Sequence, residues 1–129
     1  MHRPLFLLIS LALLAPAASA HHSFFSQYDA TKVQTIEGNV TEVWFKNPHS
    51  RVYVEVTNED GEKATWETET YPRNILFRKG WRPDDLKEGD HVLVTGRPAR
   101  NGAKRIQIFT IVRPSDGWEG HGYEPKSID

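Results

Sequence analysis

Arg51-Val52-Tyr53-Val54-Glu55-Val56-Thr57, then Asn58-Glu59-Asp60-Gly61, then Lys63 to Thr70 is the stretch on which the fold reading turns. Successive side chains of a strand point to opposite faces, so Val52, Val54 and Val56 make one apolar side while Arg51, Tyr53 and Glu55 make the other. Asp60-Gly61 supplies the positive φ that a tight hairpin needs. The chain then runs back antiparallel, with Ala64, Trp66 and Thr68 expected inward. Glu67 and Glu69 are expected on a solvated outer face, where charge discourages edge pairing.

Upstream, Val33 to Phe45 predicts one long strand. Ile36, Gly38 and Val40 share one parity and Val43 and Phe45 the other, which predicts a bulge or sharp bend partway along. Downstream, Tyr71-Pro72 interrupts the alternation. Arg73 to Lys79 then predicts a short helix with Ile75 and Leu76 buried, Gly80 as its stop and Trp81 packed beside it. After a connection over residues 84–90, His91 to Gly96 and Arg105 to Val112 predict a fourth and a fifth strand, with a hairpin tip at Asn101-Gly102. The fold expected is mainly β: a small five-stranded OB-like Greek-key barrel with one short helix between strands three and four.

The two ends of the chain read differently. His2 and Arg3, an apolar run from Leu5 to Ala15 and the small residues Ala18-Ser19-Ala20 form the three parts of a secretory signal. The run of ~11 residues is short of the ~20 that cross a bilayer as a helix, and no second apolar stretch follows. The expected organisation is a signal peptide over 1–20, an N-terminal arm over 21–32 anchored by Phe24, Phe25 and Tyr28, the barrel over 33–114, and a loose C-terminal tail over 115–129. The working protein is expected in the periplasm, with no transmembrane segment after cleavage.

Composition narrows the chemistry. With 16 basic and 17 acidic residues and a net charge of −1, no global field draws the chain to nucleic acid or anionic lipid, so any binding charge has to be local. Cysteine is absent, which excludes disulfides, thiolate nucleophiles and zinc–cysteine centres. The one methionine is Met1, so a mature chain lacks thioethers for Cu(I), and any metal is left to nitrogen and oxygen ligands. Ser23, Ser26 and Ser50 lie in no nucleophile motif, and spaced histidine or paired-carboxylate patterns are missing. A non-enzymatic protein is expected.

Two groups of residues are candidates for binding. Cleavage after Ala20 makes His21 the first residue, so its amine and ring could chelate together. Cleavage after Ser19 instead gives Ala20-His21-His22, where the amine, two amides and the second histidine complete a square plane. Both products suit Cu(II) or Ni(II), with His49 as the further ligand presented by the turn at Pro48. The second group is Lys46-Asn47-Pro48-His49-Ser50-Arg51 between strands one and two, opposite the connection that carries Arg97, Arg100, Lys104 and Arg105 between strands four and five. In OB-folds these two loops flank the ligand face. Lys46, Asn47, His49, Arg51, Arg97 and Arg100 are therefore candidate contacts for a protein or small anionic partner. Stacking platforms are sparse, since only Tyr53 and Trp44 point outward, and nucleic acid is not expected.

Taken together, His21-His22-Ser23-Phe24 just after the signal, Gly38 and Val40, Trp44, Asn47-Pro48-His49, Trp66, Gly80-Trp81 and Gly89-Asp90 resemble a family of small exported bacterial proteins known only as a domain of unknown function. The resemblance covers nearly the whole chain after the signal. It implies a periplasmic location and a small β-rich domain, and it brings no activity or ligand.

Overall fold

The structure is a computed structural model that describes residues 27–125; the expectations for the signal peptide, His21, His22 and the aromatic pair Phe24 and Phe25 fall outside them. The described elements run β1 (Gln34–Trp44), β2 (Ser50–Thr57), β3 (Lys63–Thr70), α1 (Arg73–Arg78), β4 (His91–Pro98), β5 (Arg105–Arg113) and β6 (Trp118–His121). No helix among the described residues is long and apolar enough to cross a membrane.

The strand that set the fold reading behaves as its alternation requires. Val52 and Val54 are buried, Arg51 and Tyr53 are half-exposed, and the whole of β2 pairs with β3 from Ser50↔Thr70 to Thr57↔Lys63. Gly61 has φ of 79° at the turn that joins them, a backbone state costly for side-chain-bearing residues. The parity change in β1 is a register shift between Val40 and Glu42. It lets one strand serve two neighbours, because residues 34–39 pair with β4 and residues 39–44 with β2.

The barrel closes through a parallel pairing of β3 with β5, Glu67↔Arg105, Thr68↔Ile106 and Glu69↔Gln107. Neighbouring strands therefore run β3-β2-β1-β4-β5 and back to β3, the circuit of an OB-like Greek-key barrel. Ile36, Val40, Val52, Val54, Val92, Val94, Ile106, Ile108 and Ile111 fill its interior, and Leu76, Trp81 and Leu86 cover one end. Each such side chain removed from water contributes roughly 1.5–3 kcal/mol, so a domain without disulfides holds itself by packing.

Three details depart from expectation. Helix α1 ends one residue early, with Lys79 as its C-cap, and of its apolar pair only Leu76 is buried while Ile75 is half-exposed. The fourth strand runs on to Pro98, so Arg97 belongs to the sheet rather than to the loop. The segment expected to be a loose tail contains β6, which pairs with β5 from Thr110↔His121 to Arg113↔Trp118. A side chain at Gly120 would collide with the rings of Trp81 and Trp118, which meet edge to face at 5.4 Å. The missing side chain is what allows that strand to lie over the covered end of the barrel.

Candidate ligand face

Residues paired across a sheet share a face, so the registers place two rows of side chains on the outside of the closing seam. One row is Arg51, Glu69, Gln107 and Arg97; the other is Tyr53, Glu67 and Arg105. The loop between β1 and β2 (45–49) and the loop between β4 and β5 (99–104) border these rows, as the sequence suggests.

Glu69 is the centre of the face, and it corrects the expectation of a solvated surface pair. It is 4% exposed. The Tyr28 hydroxyl donates to its Oε2 at 2.6 Å, its Oε1 lies 3.8 Å from Nδ1 of His49 and 3.7 Å from Nη2 of Arg51. Tyr28 reaches it from the arm: the residue forms an isolated bridge with Ala99, flanked by backbone bonds from Asp29 to Pro98 and from Arg100 to Gln27. Burial, reinforced by the Glu69 carboxylate, pushes the Tyr28 phenol well above its ordinary range, so it stays a neutral donor at physiological pH.

The cations expected to line an anion site are distributed otherwise. Glu67 takes Arg51 Nε at 2.7 Å and Arg105 Nη2 at 3.0 Å, which neutralises both guanidiniums in part. Arg97 is 7% exposed and stacks over the Phe109 ring at 5.2 Å. Arg100 donates from Nε to the Tyr28 carbonyl at 3.0 Å. Lys46 is exposed, with its ammonium 4.5 Å from the centre of the Trp44 ring, and Lys104 is exposed in the second loop. Asn47 is exposed and joined to Pro48 by a cis peptide bond. Of the six sequence candidates within the described residues, His49 and Arg51 meet at Glu69, and Arg100 joins them through Tyr28. Lys46, Asn47 and Arg97 do not.

Sequence reasoning missed Glu67, Glu69, Tyr28 and Gln107 as parts of one constellation. Gln107 is fully buried, and neither Oε1 nor Nε2 has a hydrogen-bond partner among the described residues. An unpaired buried polar group costs about 1–3 kcal/mol, and this amide lies in register with Glu69 across the closing pair of strands. No group of three histidine, cysteine or carboxylate side chains among the described residues is placed to hold a metal ion.

Fold and face together define an OB-like barrel with a polar, arm-covered surface on its closing seam. The chain belongs to a family described as a family of unknown function, DUF6152, whose model matches residues 8–107. No curated protein matches the chain.

Proposed function

We propose that this chain is a periplasmic binding or accessory protein without enzymatic activity, exported by its cleaved leader. Its ligand face is the outer surface of β2, β3 and β5 between the two flanking loops. The observation that carries the reading is the convergence at Glu69. A carboxylate buried on the outside of a barrel, contacted by Tyr28, His49 and Arg51, adds nothing to the apolar core, and a charge removed from water is costly unless it is paired. Gln107 beside it supports the same reading, since its amide matches a ligand group that both donates and accepts. Amide-resolved NMR titration with inorganic phosphate and, separately, with Cu(II) tests it. Shifts gathered on residues 49–51, 67–69 and 105–107 with either probe support the face; shifts dispersed over the barrel with both probes, or none, oppose it. Intact mass of the protein recovered from the envelope tests export.

A second reading, Cu(II) binding by the mature N-terminal amine, His21, His22 and His49, is favoured by where the arm is tied down. Tyr28 is one hydrogen bond from Glu69, and Glu69 is 3.8 Å from His49. An extended chain spans roughly 3.3 Å per residue, so the seven steps from Tyr28 back to His21 reach about 23 Å. That length is ample for the terminal nitrogens to meet His49. Adding one residue before His21 is expected to weaken Cu(II) binding at least tenfold, and His49→Ala to weaken it further. Identical titrations of the native and extended proteins would end this reading.

A further inference from the structure

Helix α1 and the turn after it carry a second basic surface, separate from the ligand face. Arg73, Arg78, Lys79 and Arg82 fall between residues 73 and 82 with no carboxylate among them, in a chain of net charge −1. All four are exposed. Arg82 has a structural task, since its Nη1 donates to the carbonyls of Phe77 and Trp81 at 3.2 and 2.8 Å and so closes the helix end. The other three have no ion-pair partner among the described residues. Lys46 lies beside them, its carbonyl accepting from the Arg73 amide at 3.0 Å, and among the described residues it has no carboxylate partner either.

Below the charges lie half-buried rings. The Arg73 guanidinium sits 5.3 Å from the centre of Phe77, and the Lys79 ammonium 5.3 Å from that of Tyr71. Stacked on rings, the side chains hold their charged heads at the surface while their stems cover apolar area.

We propose that this surface docks on an anionic phospholipid bilayer. Charge complementarity calls for an anionic occupant, and the lack of a fully exposed large apolar side chain in the patch among the described residues selects its kind. A protein partner ordinarily presents its energy through a desolvated aromatic or aliphatic centre. Among the described residues, the large hydrophobic side chain that stands exposed is Val33, just before β1 and outside this patch. Adsorption to a charged membrane surface needs no such centre, because each Lys or Arg near the headgroups contributes by itself. The contact is superficial and reversible, and it does not depend on the ligand face.

Sedimentation of the untagged protein with phosphatidylcholine vesicles, with and without phosphatidylglycerol, tests the proposal. The protein is expected to sediment with the anionic vesicles alone and to be released by salt at about 1 M, where the screening length falls to about 3 Å. Each cation near the surface is worth about fivefold, so Arg73→Gln/Arg78→Gln/Lys79→Gln is expected to weaken partitioning roughly a hundredfold. Removing as many exposed cations elsewhere, Lys32→Gln/Lys63→Gln/Lys87→Gln, is expected to have a far smaller effect. Equal loss in both triple variants would assign binding to net charge and overturn the proposal. So would equal binding to neutral vesicles, or retention on immobilised polyglutamate with no binding to any vesicle. A melting curve of each variant confirms that the fold is intact.

Discussion

Arg51 and Arg105 each lie within ion-pair distance of Glu67, and Arg51 also approaches Glu69, whereas Arg73, Arg78 and Lys79 have no carboxylate partner among the described residues. The two regions hold the same residue types and differ in what the sheet places beside them. On the closing seam, strand register sets Arg51 opposite Glu69 and Arg105 opposite Glu67. Helix α1 covers the end of the barrel outside any strand ladder, and the chain from Arg73 to Arg82 supplies no acid of its own. Charge on the seam is therefore paired around Glu67 and Glu69, and charge on the helix remains available to solvent or a partner.

The largest effect that separates the regions is expected at Glu69. Replacing it by alanine removes the acceptor of the Tyr28 hydroxyl bond and one anion from Arg51, at a site where the carboxylate is 4% exposed. Breaking a buried charged cluster by one partner costs about 3 kcal/mol. For a domain near 100 residues that lowers Tm by ~15 °C, measurable by calorimetry. A loss below about 0.5 kcal/mol would mean that the seam is no more than an ordinary exposed surface.

A smaller loss is expected from Tyr28→Phe, which removes one hydrogen bond to a charged group, about 1.5–3 kcal/mol. Its pH dependence has a definite sign. Burial and Glu69 raise the folded phenol above its unfolded value near 10. A raised value means that the stabilisation is complete below about pH 10 and declines as pH rises through the folded value. The stability difference between wild type and Tyr28→Phe, followed by urea unfolding, is thus expected to be constant up to about pH 9 and to shrink above about pH 10. A constant difference at every pH would detach the phenol from Glu69.

Why the seam was not legible in the sequence follows from what a period of two can report. Alternation in β2 and the parity change in β1 state which side of a strand faces the core, and both held, the first in Val52 and Val54 and the second in the shift between Val40 and Glu42. Alternation says nothing about a second cover outside the barrel. Glu69 takes the outward parity and reads as solvated; it is buried because Tyr28, 41 residues earlier, lies over it. Strand β6 escaped for a different reason. Four residues between glycines are too few to show alternation, and Gly120 reads as flexibility until the rings of Trp81 and Trp118 are seen to need its missing side chain. His49 and Arg51 stand out in the sequence as candidates because a loop between barrel strands is a place for function, but their shared neighbour Glu69 does not, since only the fold brings β3 to them.

The smallest effect on stability is expected on the helix, and its smallness is the point. Arg73, Arg78 and Lys79 touch no carboxylate, and the stacking of Arg73 and Lys79 on half-exposed rings is worth about 0.5–1 kcal/mol at such sites. Against this, relieving the mutual repulsion of three cations returns some stability, and glutamine keeps a helix propensity close to that of arginine and lysine. The triple glutamine variant is therefore expected to unfold within about 1 kcal/mol of wild type in urea, with an unchanged slope. A patch retained for folding would show a loss comparable to that of Tyr28→Phe. A patch that leaves stability alone while partitioning onto anionic vesicles falls a hundredfold has its use outside the molecule, and that combination separates the charges on the helix from those on the seam.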